Sequence, residues 1–351
     1  MKSSEEWLRE AEEMPDGDVK MALLEEAMQA ADEEQNLNQA YEVREEYIRC
    51  ASFQGYPMKM LVAFSWVITK WEQHPGQFPE YSVLWMYKWV LGAVRFFPQI
   101  SLEKINQLFE DMKKKYTDHG GSLRSYYFYR MSFAKANGFE TEIEPNYEGW
   151  QATGRGYLSC CRACEVARES SHLSYLGEHK KAIRKAKTLL TGQLQCTTEP
   201  QSTYSKIIRA FEAVGNESKA MEFAQKAYRM TARKRGDLEN NILIMRFMLK
   251  HDLAKSKTMF EQHLHFAMDT ENPYIRFHYY LFAITLMSAL HGRKFQLKLP
   301  RRLPLFQDSG KYDFAALREW FTAEAKKIAE AFDQRNGNDH FMKQIESSKH
   351  E

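Results

Sequence analysis

Apolar residues recur along this chain at intervals of three and four, and no long stretch alternates with period two, so the pattern predicts an all-α protein. Trp7, Leu8 and Ala11 mark one side of a short first helix, which Pro15-Asp16-Gly17 ends. Met21, Leu24, Ala27, Met28 and Ala31 make the apolar face of a second helix, with Asp18 as its expected cap. Asn36-Leu37-Asn38 breaks it, and a third helix runs to Phe53. Gly55-Tyr56-Pro57 then turns the chain into Met60, Phe64, Val67 and Trp71. Residues 81–97 are apolar nearly all round, which suits a buried helix. Ser101 is placed to cap the next helix, whose stripe is Ile105, Leu108, Phe109 and Met112. A Tyr- and Phe-rich helix over 122–137 follows, and Gly138-Phe139-Glu140 turns toward Ile143, Tyr147 and Trp150.

Two copies of one small pattern come next. Gly177-Glu178-His179-Lys180-Lys181-Ala182 is followed by Ala186 and Leu189, and Gly215-Asn216-Glu217-Ser218-Lys219-Ala220 by Ala224 and Ala227. In each, a Gly ends one helix, polar residues turn the chain, and small residues at helical spacing let the next helix lie close against it. This spacing resembles the tetratricopeptide repeat, although the interval between copies, roughly 38 residues, exceeds the usual 34 or so. The resemblance implies a right-handed superhelix of antiparallel helix pairs, whose concave face, lined by each pair's first helix, binds proteins or peptides. On that reading 1–53 are acidic N-terminal helices, 54–151 are divergent aromatic-rich pairs, 157–291 hold the clearest repeats, and 292–351 comprise an extended basic crossing and a C-terminal capping helix. The joint is expected at Ala152-Thr153-Gly154-Arg155-Gly156, and Asp313 is the expected cap of the last long helix. That helix is expected to end at Arg335-Asn336-Gly337-Asn338, leaving a polar tail.

Charge changes the picture more than composition does. The net charge of +2 hides a division: residues 1–50 carry 15 Asp and Glu against 5 Lys and Arg, whereas 180–302 carry 23 Lys and Arg against 10 acids. One reading is solvated helix faces that happen to carry one sign each. The sharper one is a basic concave surface and an acidic N-terminal segment, as cover or as a second docking site. The acidic start has no secretory-signal pattern, and the longest apolar run, 279–290, falls short of the roughly 20 residues that span a bilayer. No membrane association is expected. Five cysteines in 351 residues make no disulfide framework, so a reducing cytoplasm is the expected location.

Neither a phosphate loop, a dinucleotide fingerprint, H-E-x-x-H nor G-x-S-x-G occurs, so a non-enzymatic protein with no cofactor is expected. No helix-turn-helix precedes the repeats, which argues against specific nucleic-acid binding and for a protein or peptide partner, suitably an acidic one. Its contacts are expected on the first helices of two pairs: Tyr204 and Arg209 on one, Asn240, Asn241 and Arg246 on the next. The amides would bond a peptide backbone while Arg holds a carboxylate.

Cys161, Cys164 and Cys196 have metal-like spacing, with C-x-x-C on one helical turn and Cys196 about one repeat further on. Without an obvious fourth ligand they are a weak structural zinc candidate, and buried small residues are the preferred reading. Cys161-x-x-Cys164, Cys196, Pro200 and the ending Phe332-Asp333-Gln334-Arg335-Asn336-Gly337-Asn338 resemble a group of bacterial tetratricopeptide proteins without assigned activity. That group has a His just after the Pro, where this chain has Gln201. A more distant resemblance is to Rap-like peptide-responsive regulators, and an immunity or antitoxin protein that blocks a toxin is a further alternative.

Overall fold

A computed structural model describes residues 2–348. Among them every regular element is helical. The chain opens with α1 (Ser4–Glu13), α2 (Asp18–Glu33) and α3 (Leu37–Gln54). Ser3 begins α1 with a capping box: its hydroxyl accepts from the Glu6 amide while the Glu6 carboxylate accepts from the Ser3 amide. Asp18 does not cap α2. It is the first helical residue, behind a Gly17 cap that makes no side-chain bond, and its charge there favours the positive end of the helix dipole. Asn36 caps α3 through the Gln39 amide.

The aromatic-rich region comprises α4 (Pro57–Gln73), α5 (Glu80–Ala93), α6 (Leu102–Asp118), α7 (Arg124–Asn137) and α8 (Ile143–Ala152). Ser101 caps α6 as expected, accepting from the Lys104 amide. The two repeat copies are α9 (Arg162–Tyr175) with α10 (His179–Leu190), and α11 (Gln201–Ala213) with α12 (Glu217–Thr231). Gly177 and Gly215 occupy their turns at φ of +79° and +74°, the left-handed region that closes a helix C-terminus. Ala182, Ala186, Leu189, Ala220, Ala224 and Ala227 are all fully buried, so the small side chains do line the close crossings. Next come α13 (Leu238–His251), α14 (Leu253–Asp269) and α15 (Pro273–Leu290). After a helix-free crossing, α16 (Phe314–Asn336) starts with Asp313 accepting from the Ala315 amide.

The tail is not merely polar. It contains α17 (His340–Ser348), whose Phe341 and Ile345 are fully buried one turn apart. A nine-residue helix would be marginal alone, and burial of this two-residue face supplies what its propensity lacks.

By backbone proximity the chain forms two compact units. The first takes the residues up to Ser159 with Thr270–Tyr274 and Ala331–His340; the second takes Cys160–Asp269, Ile275–Glu330 and the residues from Phe341 on. The division at Ser159 falls just beyond the joint expected at 152–156. Consecutive helices pack in both units, and alternate ones also touch: α1 with α3, α3 with α5 and α5 with α7 in the first, α9 with α11 and α11 with α13 in the second. Alternate helices therefore lie in rows, and a row of parallel neighbours leaves grooves between its outward faces.

The end of α16 has a specific seat in the first unit. Arg335 donates to the Phe97 carbonyl and to Asn137 Oδ1, and Asn338 donates to the Asn137 carbonyl. Burial lowers the Arg335 guanidinium to a pKa of about 10. Gly138, at φ +76°, lies so close to His340 that an added Cβ would meet the ring at 2.6 Å. The Arg335-Asn336-Gly337-Asn338 sequence is thus a docking segment.

Candidate functional site

A concavity of about 1010 Å³ in the second unit lies along the row of alternate helices. Helix α9 gives it Ser171, Ser174 and Tyr175, and α11 gives Ser205, Lys206, Ile208, Arg209 and Glu212. From α13 come Leu243, Arg246, Phe247, Leu249 and Lys250, and from α15 Thr285, Ser288 and Ala289. Each set repeats at three or four residues, so each helix turns one stripe to the groove. Lys206, Arg209, Arg246 and Lys250 are exposed there. The single acid, Glu212, lies 3.8 Å from Lys250 and 3.6 Å from His251. The groove is cationic, with an apolar floor and hydroxyls along one wall.

Arg209 and Arg246 are where sequence reasoning put them, and Tyr204, Asn240 and Asn241 are not. Tyr204 leans on Phe223 of α12, ring centroids 5.2 Å apart. Asn240 Oδ1 accepts from Ser205 at 2.7 Å while its amide donates to Asp237 at 2.9 Å. Asn241, fully buried, accepts from the Thr231 hydroxyl at 2.6 Å and donates to the Thr231 carbonyl at 3.1 Å. These amides tie α13 to its neighbours and are not available to a peptide backbone. The residues missed are Glu212, Phe247 and Lys250. Stepping by three and four from Arg209 and Arg246 finds all but Phe247, which adjoins Arg246 on the same stripe.

Away from the groove, His263 is a packed histidine. Its ring nitrogens lie 2.7 Å from the Met259 carbonyl and 3.0 Å from that of Ala232, and burial lowers its pKa.

The cysteines divide in two. Cys50 and Cys160 are buried, as small packed residues would be. Cys161 is exposed and Cys164 and Cys196 are half-buried, so the reading of buried small residues does not fit these three. Their sulfurs all lie within 4.8 Å of one another, and Cys164 and Cys196 are 3.6 Å apart. Cys161 is the cap of α9, its sulfur accepting from the Cys164 amide at 3.4 Å. Cys196 lies in the segment between α10 and α11. Burial alone would raise its thiol, but the amides of Thr198 and Glu199 and the hydroxyl of Thr198 outweigh that and hold it below the usual range. Burial pushes the Cys164 thiol up. Gln201 does not reach toward the sulfurs as a ligand would. Its side-chain amide donates to the Thr197 carbonyl at 2.6 Å and secures the same loop.

No family model matches this chain, and no curated protein matches it. No helix among the described residues is long and apolar enough to cross a membrane.

Proposed function

We propose that this protein is a tetratricopeptide-like helical-repeat scaffold, a right-handed superhelix of antiparallel pairs, that binds an acidic peptide or protein segment in the groove of α9, α11, α13 and α15. It acts in the cytoplasm by binding, without catalysis or a cofactor. The observation that carries this reading is the composition of that groove: four exposed cations on two adjacent helices, opposed by Glu212 alone. Arg209 and Arg246 supply planar donor forks suited to carboxylates. Ile208, Leu243 and Phe247 offer apolar contact for the side chains between the acids. The volume suits a short extended segment better than a whole domain face.

A peptide array spanning net charge, followed by hydrogen exchange of the protein with its best binder, tests this. Acidic peptides are expected to dominate, with protection gained in α11 and α13. Binding indifferent to peptide charge, or protection confined to other helices, would reject the groove.

A further inference from the structure

The three converging thiols are not needed by the groove, and their arrangement has a chemistry of its own. A tetrahedral zinc ion with Zn–S bonds of about 2.3 Å separates its sulfurs by about 3.8 Å. The Cys164–Cys196 distance of 3.6 Å is close to that value and far from a disulfide, and the third sulfur lies within 4.8 Å. One of the sulfurs already accepts a backbone amide hydrogen, Cys161 from Cys164, and the Cys196 sulfur lies 3.6 Å from the Thr198 hydroxyl. Such donors stabilise thiolate charge and orient the lone pairs that a metal takes. Only small motions of a helix N-terminus and a loop close the triangle.

We propose that Cys161, Cys164 and Cys196 bind one divalent zinc ion through three thiolates, with the fourth position held by water or an exogenous thiol. The exposed side of Cys161 leaves that position accessible. The ion joins the start of α9 to the segment before α11, two stretches about one repeat apart in sequence, and so clasps the first repeat pair at one edge. Binding involves no electron transfer: each thiol that is still protonated releases its proton to solvent as the metal–sulfur bond forms. The two buried cysteines take no part, and Gln201 remains a loop anchor.

The probe is cobalt(II), titrated into the fully reduced, chelator-treated full-length chain, with zinc as competitor. One equivalent is expected to produce the intense near-ultraviolet sulfur-to-metal band and the visible bands of tetrahedral cobalt, with zinc abolishing both. Added thiol is expected to shift the visible bands, because it enters the fourth position. Cys161→Ser, Cys164→Ser and Cys196→Ser should each weaken binding at least tenfold, whereas Cys160→Ser and Cys50→Ser should leave the spectrum and stoichiometry unchanged. Circular dichroism establishes that each variant is folded. A variant that loses its helical signal is replaced by the corresponding Ala variant, and the spectrum of the folded protein decides. Absence of the sulfur-to-metal band from reduced wild-type protein overturns the site. So does equal loss on Cys160→Ser, or uptake of less than half an equivalent with a Cys164–Cys196 disulfide absent.

Discussion

The two units carry grooves of the same construction and opposite charge. In the first, α1, α3 and α5 line a concavity of about 480 Å³ with Glu12, Glu42, Glu45 and Glu46 beside Tyr81, Trp85 and Trp89. In the second, α9, α11, α13 and α15 line about 1010 Å³ with Lys206, Arg209, Arg246 and Lys250. The one Arg of the acidic groove, Arg49, is engaged by Asp16 and Glu46, so it adds little positive field. Both grooves use alternate helices because those helices neighbour one another in rows. The helix arrangement therefore sets where a groove forms, and a few side chains three or four residues apart set what it attracts. Of the charges that divide the sequence, four of the 15 acids in 1–50 line the first concavity and four of the 23 Lys and Arg in 180–302 line the second.

The largest effect should come from inverting one groove toward the other. Arg209→Glu with Arg246→Glu removes two charge-assisted contacts and adds repulsion, which should weaken an acidic peptide about a hundredfold or more, roughly 3 kcal/mol. Glu42→Lys with Glu45→Lys, in the other groove, should change the same affinity by no more than about twofold. Fluorescence anisotropy with one labelled peptide measures both. Equal losses in the two variants would mean that the grooves are not separate sites.

Next in size is a difference in packing. The repeat pairs of the second unit cross on fully buried Ala182 and Ala220, whereas the first unit fills its core with residues such as Phe64, Tyr87 and Phe109. Ala182→Leu or Ala220→Leu should overpack the crossing and cost about 1–3 kcal/mol in chemical denaturation. Val62→Leu on α4, at a position 66% exposed, should stay within about 0.5 kcal/mol. Leu tolerated at both alanines would show that the helices do not rely on close approach there.

The repeats were legible because their geometry is local: Gly at a left-handed turn and Ala three or four residues apart leave a written period. Capping of α6 by Ser101 and of α16 by Asp313 was legible for the same reason. Helix α17 was not, since two apolar residues in a polar tail carry too little period to be seen, and their burial comes from long-range packing. The site was half legible. Charge located Arg209 and Arg246, but which amides are spent inside the fold depends on helix rotation, so Asn240 and Asn241 read like binding residues until Ser205, Asp237 and Thr231 were seen beside them. The thiol triangle needed the fold as well, because only the path of the segment after α10 brings Cys196 back to the start of α9.

Acid should separate the units by a smaller margin. In the first, hydrogen bonding to Arg49 leads the causes that hold Asp16 low, and for Glu46 the bonds to Arg49 and Lys20 outweigh the burial that would raise it. Depressed carboxyls contribute stability that is present above their unfolded pKa, about 4, and is lost as pH falls through the lower folded value. In the second unit burial raises Glu199 and Asp237. Their cost is present above the raised folded pKa and is relieved as pH falls through it. Between neutrality and pH about 4 the second unit should therefore gain relative to the first, and below that the first should lose protection earlier. Hydrogen exchange on metal-free protein tests the order, and earlier opening of α9–α14 would reverse the assignment.

The smallest effect sharpens the comparison most. Lys180 and Lys181 on α10 are as basic as the groove pair but do not line the groove, and Lys181 already holds Glu178 at 2.9 Å. Both are exposed, so their field is screened within about 8 Å at physiological ionic strength. Lys180→Glu with Lys181→Glu changes the net charge of the protein by as much as the Arg209 and Arg246 reversal does. If binding depends on net charge alone, the two double variants will fall together and both losses will shrink alike as salt is raised. If it depends on forks aimed into the groove, the α10 variant should lose less than about twofold at physiological salt, while the groove variant keeps most of its loss there. Measuring both against the same peptide at low and physiological salt distinguishes a docking groove from diffuse attraction, and an α10 loss matching the groove loss at physiological salt would leave attraction as the account.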